Sequence, residues 1–202
     1  MRPGKSPRFT LWTLAVVAVL GVGIAVAGWA GSRMFGGSSS AVTIGGPFTL
    51  TGTDGQQVTE KNFEGKARAM FFGFTYCPDV CPTTLADAGN WLNALGDKAK
   101  DITFVFVSVD PERDTPSQMK DYLSAFDPRI VGLTGSMDEI KKIERNYRVY
   151  ARKVKTGEGA DDYTMDHSAS VLLFDRNGNF AGTVDYTEPE AETIEKLKKL
   201  VG

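Results

Sequence analysis

The chain has 202 residues, with 23 Lys and Arg against 25 Asp and Glu, for a net charge of −2. All 25 acidic residues follow Met34, while Arg2, Lys5, Arg8 and Arg33 precede it, so the larger part is acidic and has no basic run. That excludes a nucleic-acid binder held by phosphate contacts, and two cysteines are too few for a disulfide-built scaffold.

Residues 9–31 form an apolar run without a charge. At about 1.5 Å per helical residue it is long enough to span a bilayer core. Arg2, Lys5 and Arg8 precede it and Arg33 alone follows closely, so the positive-inside rule places residues 1–8 in the cytoplasm and the rest outside. Trp12 and Trp29 lie near the ends of the run, where interfacial rings sit. A cleaved signal peptide is the rival reading, with Ala25-Val26-Ala27 as its site, but the run exceeds the usual apolar core of such peptides. Residues 32–46 contain Gly36-Gly37-Ser38-Ser39-Ser40 and read as a flexible linker. Residues 47–202 then suit one domain with a sizeable core.

Ala69 to Phe74 and Ile102 to Val109 are near-continuous apolar runs, the pattern of strands buried on both faces. Between them Leu85, Ala88, Leu92 and Leu95 repeat at helical spacing, and Pro82 places the helix start near itself. Strand, helix, strand predicts a right-handed β-α-β unit. Thr115-Pro116 with Gln118 announces a second helix, with Met119, Tyr122, Leu123 and Phe126 as its stripe. A short strand follows at Ile130 to Leu133. Ser136 with Glu139 caps a third helix bearing Ile140, Ile143 and Tyr147. Val171 to Phe174, the turn Asn177-Gly178 and Phe180 to Val184 read as a hairpin, and Glu188 to Val201 as a closing helix. The predicted fold class is α/β, a central mixed sheet flanked by helices, preceded by a single N-terminal transmembrane helix. Asp110 to Asp114 reads as a charged loop after a core strand, either solvated or a docking surface.

Cys77 and Cys81 stand in Gly73-Phe74-Thr75-Tyr76-Cys77-Pro78-Asp79-Val80-Cys81-Pro82, and the one histidine is His167. An iron–sulfur cluster wants four cysteines, blue copper two histidines, attached haem C-x-x-C-H, and structural zinc four ligands. What remains is three-coordinate Cu(I), an open zinc site with water, or a redox thiol pair. The two cysteines fall on the turn leading into the first helix, where free N–H groups favour thiolates. Four positions apart in a helix-like turn, their Cα atoms lie about 6 Å apart. A disulfide spans that only toward its long limit, so the spacing suits an ion slightly better. His167 falls in the loop before the strand at Ser170. Asp166 is a candidate to orient its imidazole, with a plain surface charge as the alternative, and Met165 reads as a core side chain with a thioether in reserve.

The segments Phe71 to Leu85, Phe106 to Pro116, Asp127 to Gly135 and Asp166-His167-Ser168 together resemble the Sco/SenC family of copper proteins. The resemblance runs from about Pro47 to the end, and the N-terminal anchor fits it. It implies a thioredoxin-like fold in which Cys77, Cys81 and His167 bind copper, as Cu(I) with Cu(II) as a second state. It implies help in assembling the CuA centre of cytochrome c oxidase. The partners would be the oxidase subunit carrying CuA and an upstream copper donor. The place would be the inner membrane, with the C-terminal domain in the periplasm, or in the mitochondrial intermembrane space of a eukaryote. Two other classes stay open: a thiol-disulfide oxidoreductase acting on the client's cysteines, and a redox or copper sensor. Thioredoxin-like oxidoreductases usually place a proline where this chain has His167, and no proline lies between Pro128 and Pro189. Val80-Cys81-Pro82-Thr83 is also similar to a peroxiredoxin stretch, but that family needs a threonine where Pro78 stands.

Overall fold

The structure, a computed structural model, describes residues 43–202. The apolar run at 9–31 and most of the linker lie outside the described residues. No helix among the described residues is long and apolar enough to cross a membrane.

Among the described residues nine strands and four α-helices follow in chain order: β1 (Thr49–Gly52), β2 (Gln57–Thr59), β3 (Ala67–Gly73), α1 (Val80–Leu95), β4 (Ile102–Ser108), α2 (Pro116–Leu123), β5 (Val131–Thr134), α3 (Met137–Tyr147), β6 (Ala151–Lys155), β7 (Tyr163–His167), β8 (Val171–Phe174), β9 (Phe180–Val184) and α4 (Glu190–Val201). Seven strands form one sheet in the order β2-β1-β5-β4-β3-β8-β9, and β6 and β7 pair separately. β3 pairs parallel to β4 and β4 parallel to β5, while β8 runs antiparallel to β3. The mixed central sheet is therefore present.

The two apolar runs are the two middle strands. Every residue of β3 is buried, and all of β4 but Thr103. Burial on both faces explains why they show no alternation. The α1 stripe predicted from spacing, Leu85, Ala88, Leu92 and Leu95, is buried to the last residue. Thr115 caps α2 by accepting from the Gln118 N–H, with Pro116 in the first turn. Ser136 and Glu139 form the predicted capping box of α3. Tyr147, at the end of α3, packs among the rings of Phe48, Phe72 and Phe174 and donates its hydroxyl to the Gly46 carbonyl at 3.0 Å. It ties the entry of the chain to the sheet.

Several expectations need correction. α1 begins at Val80 rather than near Pro82, so Pro82 occupies its third position. The N–H groups of a first turn have no intrahelical partner, so proline costs nothing there. α2 stops at Leu123, leaving Phe126 beyond it, half-buried against the core. Four strands escaped the sequence reading. β1 and β2 are too short to show a pattern, although the Asp54-Gly55 turn between them, with Gly55 at φ +80°, is a hairpin signal. β6 and β7 are discussed with the site they complete.

Candidate metal centre

β3 ends at Gly73, in the middle of the sheet, and the chain turns through Phe74 to Asp79 into α1. That turn carries Cys77, whose N–H donates to the Phe74 carbonyl at 3.2 Å. Cys81 is not on the lead-in turn, as expected, but is the second residue of α1. It is fully buried, while Cys77 is half-buried. The close packing of Cys81 against the strand depends on Gly73. A Cβ there would stand 2.7 Å from the Cys81 sulfur and 2.8 Å from a Phe106 ring carbon.

His167 is the last residue of β7, not part of a loop. β6 is mostly exposed and rich in Lys and Arg, and the Thr164 and Asp166 of β7 beside it hide a five-residue strand. Strand alternation turns His167 and buried Met165 and Tyr163 to one side, and Asp166 to the other. The imidazole stands edge-on to Phe74, centroids 5.7 Å apart and planes at 88°, and near Phe71 at 6.2 Å. Its Nδ1 lies 2.9 Å from the Ser168 carbonyl. A carbonyl only accepts, so Nδ1 carries the proton of the neutral ring and Nε2 its lone pair. Nε2 is 3.7 Å from the Cys81 sulfur. The backbone of Ser168, not Asp166, thus orients the ring. Asp166 is exposed and faces Arg152 and the Tyr150 hydroxyl. Met165 is a core side chain.

The two sulfurs and Nε2 all lie within 4.8 Å of one another, and among the described residues these three form the candidate metal-binding group. Bonds of about 2.0–2.3 Å to such atoms, arranged in a trigonal plane, need ligands about 3.5–4 Å apart. The group is close to that without rearrangement. Two thiols and one imidazole are the donor set of a soft ion.

The thiols are unlike. A hydrogen bond from the Cys81 thiol outweighs the burial of Cys77 and, with help from His167 and the N–H groups of Asp79 and Cys81, lowers it to about 4. The Cys81 N–H reaches its sulfur at 3.4 Å. Cys81, as donor to that thiolate and a buried group, is pushed strongly up. Burial opposes charge on His167, but the Cys77 sulfur and the Ser168 carbonyl outweigh it and raise its pKa.

Residues 110–114 are not a solvated loop. Asp110 and Asp114 are buried. The Asp114 carboxylate accepts from the Thr75 N–H at 3.1 Å, the Thr75 hydroxyl at 2.6 Å and the Ser108 hydroxyl at 2.6 Å. Burial pushes this carboxyl up, against the hydrogen bonds from Ser108 and Thr75 that lower it. Arg113 bonds to Asp110 at 2.5 Å and to the Tyr163 carbonyl at 3.0 Å. Sequence reasoning missed this cluster because five charged or turn-forming residues in a row read as solvent-facing. The Asp110-Pro111 pair following a near-continuous apolar strand was the available hint.

A family model described as SCO1/SenC matches residues 36–202. The chain is 39% identical over 162 residues to SCO2, mitochondrial, of Saccharomyces cerevisiae, covering 80% of this chain and 54% of that protein. It is 45% identical over 146 residues to SCO1 homolog 1, mitochondrial, of Arabidopsis thaliana, covering 72% and 43%. The chain thus spans about half the length of these curated relatives. Among solved structures, Bradyrhizobium japonicum ScoI with copper bound superposes with a TM-score of 0.72 at 49% identity, covering 78% of this chain and 99% of that one. Yeast Sco1 with copper bound gives 0.73 at 39% identity, covering 79% and 88%. The mixed sheet with flanking helices is the thioredoxin-like fold of these proteins.

The thiol asymmetry has a direct test. With a Cys77 pKa of about 4, iodoacetamide at pH 6 should label Cys77 well before Cys81 in the reduced, metal-free chain. The Cys77 rate should stay flat above pH 5 and fall as pH drops through about 4. Equal labelling by peptide mass mapping would contradict the assignment.

Proposed function

The chain belongs to the SCO1/SenC family, and from that premise we propose that it is a copper metallochaperone binding Cu(I) through Cys77, Cys81 and His167. The observation that carries this is the convergence of two sulfurs and one imidazole nitrogen, with no fourth protein ligand in the group. The copper bound in the Bradyrhizobium japonicum and yeast relatives supports the choice of metal. Copper is cargo here, received from an upstream donor and passed to the cytochrome c oxidase subunit that carries CuA. On this reading the protein acts as a carrier. Cu(II) is a second state the same ligands can hold.

The geometry suits loading and exchange. Cys77 already carries a thiolate and reaches the surface. Cu(I) arriving there bonds to that sulfur, then to Cys81, whose thiol releases its proton, and to the Nε2 lone pair. Cys81 is fully buried, so a client thiolate approaches from the Cys77 side and displaces the half-exposed Cys77 first. Client thiolates replace the two copper–sulfur bonds and the copper–nitrogen bond in turn, Cys81 regains a proton as it leaves, and no oxidant is needed.

A specific observation favours a second reading. A low-pKa half-exposed thiol beside a buried partner is also what a thiol-disulfide reductase presents, with Cys77 attacking the client's disulfide and Cys81 closing the bond behind it. His167 separates the two. In the His167→Ala variant Cu(I) affinity should fall at least about 10–100-fold, the size of effect that loss of mere supporting contacts already has, while both thiols remain reactive. X-ray absorption of the wild type should give two sulfur neighbours and one nitrogen. A folded variant that retains copper as the wild type does would leave the reductase reading standing.

The apolar run at residues 9–31 is proposed as a single-pass inner-membrane anchor. It leaves the N-terminus in the cytoplasm and the copper domain in the periplasm, or in the intermembrane space of a mitochondrion. Tethering keeps the carrier at the membrane where its client sits and raises effective concentration. Protease added to cells with a permeabilised outer membrane should remove the domain and spare residues 1–8. A mature protein beginning just after Ala27 would show a cleaved signal peptide instead.

A further inference from the structure

The three ligands come from two pieces of structure. Cys77 and Cys81 ride on the end of β3 and the start of α1, at the middle of the main sheet. His167 ends β7, and the β6–β7 pair shares no ladder with that sheet. At its far end the hairpin runs into β8 through residues 168–170. Ser168 is held there, its N–H donating to the Tyr150 carbonyl at 3.0 Å and its hydroxyl accepting from the Tyr150 N–H at 3.1 Å. His167 sits beside that joint, Met165 enters the core midway along β7, and the opposite end of the strand, at Tyr163, needs a tie of its own.

Arg113 occupies that place. Its Nη1 donates to the Tyr163 carbonyl at 3.0 Å, at the first residue of β7. Its guanidinium lies 3.7 Å from the centroid of the Tyr163 ring on one side of the site and 4.6 Å from that of Tyr76 on the other. Tyr76 is the neighbour of Cys77. Phe74, which flanks the imidazole, is within 5.9 Å. Asp110 fixes the guanidinium itself, by the 2.5 Å bond to Nε, and also accepts from the Tyr163 hydroxyl at 2.8 Å. The Nη2 group is buried without a hydrogen-bond partner. A guanidinium held between aromatic faces tolerates this because ring electrons replace part of its hydration. The cation is thus shared between the cysteine turn and the histidine strand, and touches none of the three ligands.

We propose that Arg113 is a positioning residue that fixes the histidine strand against the cysteine turn and so holds His167 Nε2 within bonding range of an ion on the two sulfurs. The inference rests on the ligand assignment above. Without Arg113 the cysteine turn keeps its own support, because Thr75 remains bound to Asp114. The hairpin keeps its ladder and its joint at Ser168. Tyr163 keeps its hydroxyl bond to Asp110 and Met165 its place in the core, but the tie between Tyr76 on the cysteine turn and the start of β7 is gone, so the imidazole shifts out of the ligand set while the sulfurs stay.

The test uses the full-length chain in detergent, loaded with Cu(I) alone, and compares four proteins: wild type, Arg113→Met, Arg113→Lys and Leu197→Ala. Leu197 is a core residue of α4 that touches none of this network and serves as a control for general destabilisation. Circular dichroism of the metal-free proteins checks folding. X-ray absorption reads the ligand set, and competition with a Cu(I) chelator reads affinity. In Arg113→Met the two sulfur neighbours should remain, the nitrogen should disappear, and affinity should fall by about 10–100-fold. Arg113→Lys should behave likewise, since an ammonium has the charge but not the planar fork that bonds and stacks at once. Leu197→Ala should keep the wild-type ligand set at whatever melting temperature it has. The proposal is overturned if Arg113→Met keeps the nitrogen and an affinity within twofold of wild type. It is equally overturned if Leu197→Ala loses the nitrogen too, which would make the effect one of general stability. A wild type with no nitrogen neighbour would instead remove the ligand assignment itself, and the proposal with it.

Discussion

A carboxylate buried beside the end of β4 organises the ground on which the candidate metal centre stands. Asp114 is fully buried and has no cationic partner bonded to it. Burying such a group is costly unless its lone pairs are used. Here Thr75 fills two of them and Ser108 a third, and the Asp114 carbonyl accepts from the Thr134 hydroxyl at 2.7 Å. One residue therefore joins the ends of β3, β4 and β5, three adjacent strands of the sheet. The cysteine turn leaves from that fixed edge. Hydrogen bonds to a buried carboxylate are stronger than neutral ones, so this edge is a stiff base for a site whose ligands must sit within a few tenths of an ångström.

From that base the chemistry follows by difference between like groups. The two thiols lie four residues apart, but one faces outward and receives hydrogen bonds while the other is enclosed and gives one. The first is a thiolate at neutral pH and the second a thiol. The imidazole is boxed by two rings and committed by its Nδ1 proton to a backbone carbonyl, which leaves a single atom free to bind. A carrier needs this mixture. The enclosed ligands give retention, and the exposed one gives a route for exchange. The same asymmetry would serve disulfide reduction, so His167, which that chemistry does not need, distinguishes the two roles.

The order strand, helix, strand, helix, strand, helix, hairpin, helix was legible because each of those elements buries an apolar face, and burial writes a period into the sequence. The helix caps at Thr115 and Ser136 were legible because they depend on neighbours three residues away. The cysteines and the histidine stood out by chemical type alone. What stayed hidden depends on contacts between distant segments. β7 carries Tyr163, Met165 and His167 inward, but its Thr and Asp and its Lys-rich partner β6 mask the alternation. Asp110, Arg113 and Asp114 look solvated because nothing local says that Thr75 and Tyr163 will meet them. Cys77 and Cys81 were both read onto the turn before the helix, where only Cys77 lies, because Pro82 was taken to mark the first helical position rather than the third.

The most direct test of the account is transfer itself. The full-length chain, loaded with Cu(I), is mixed anaerobically with the copper-free oxidase subunit that carries CuA, its cysteines already reduced. The proteins are then separated and the copper on each is measured. The account predicts that copper moves to the client without any thiol in either protein becoming oxidised. The contrary result would be copper remaining with the carrier, while the metal-free chain restores metal uptake to a client whose cysteines had been left as a disulfide. That outcome would make reduction the function of the cysteine pair.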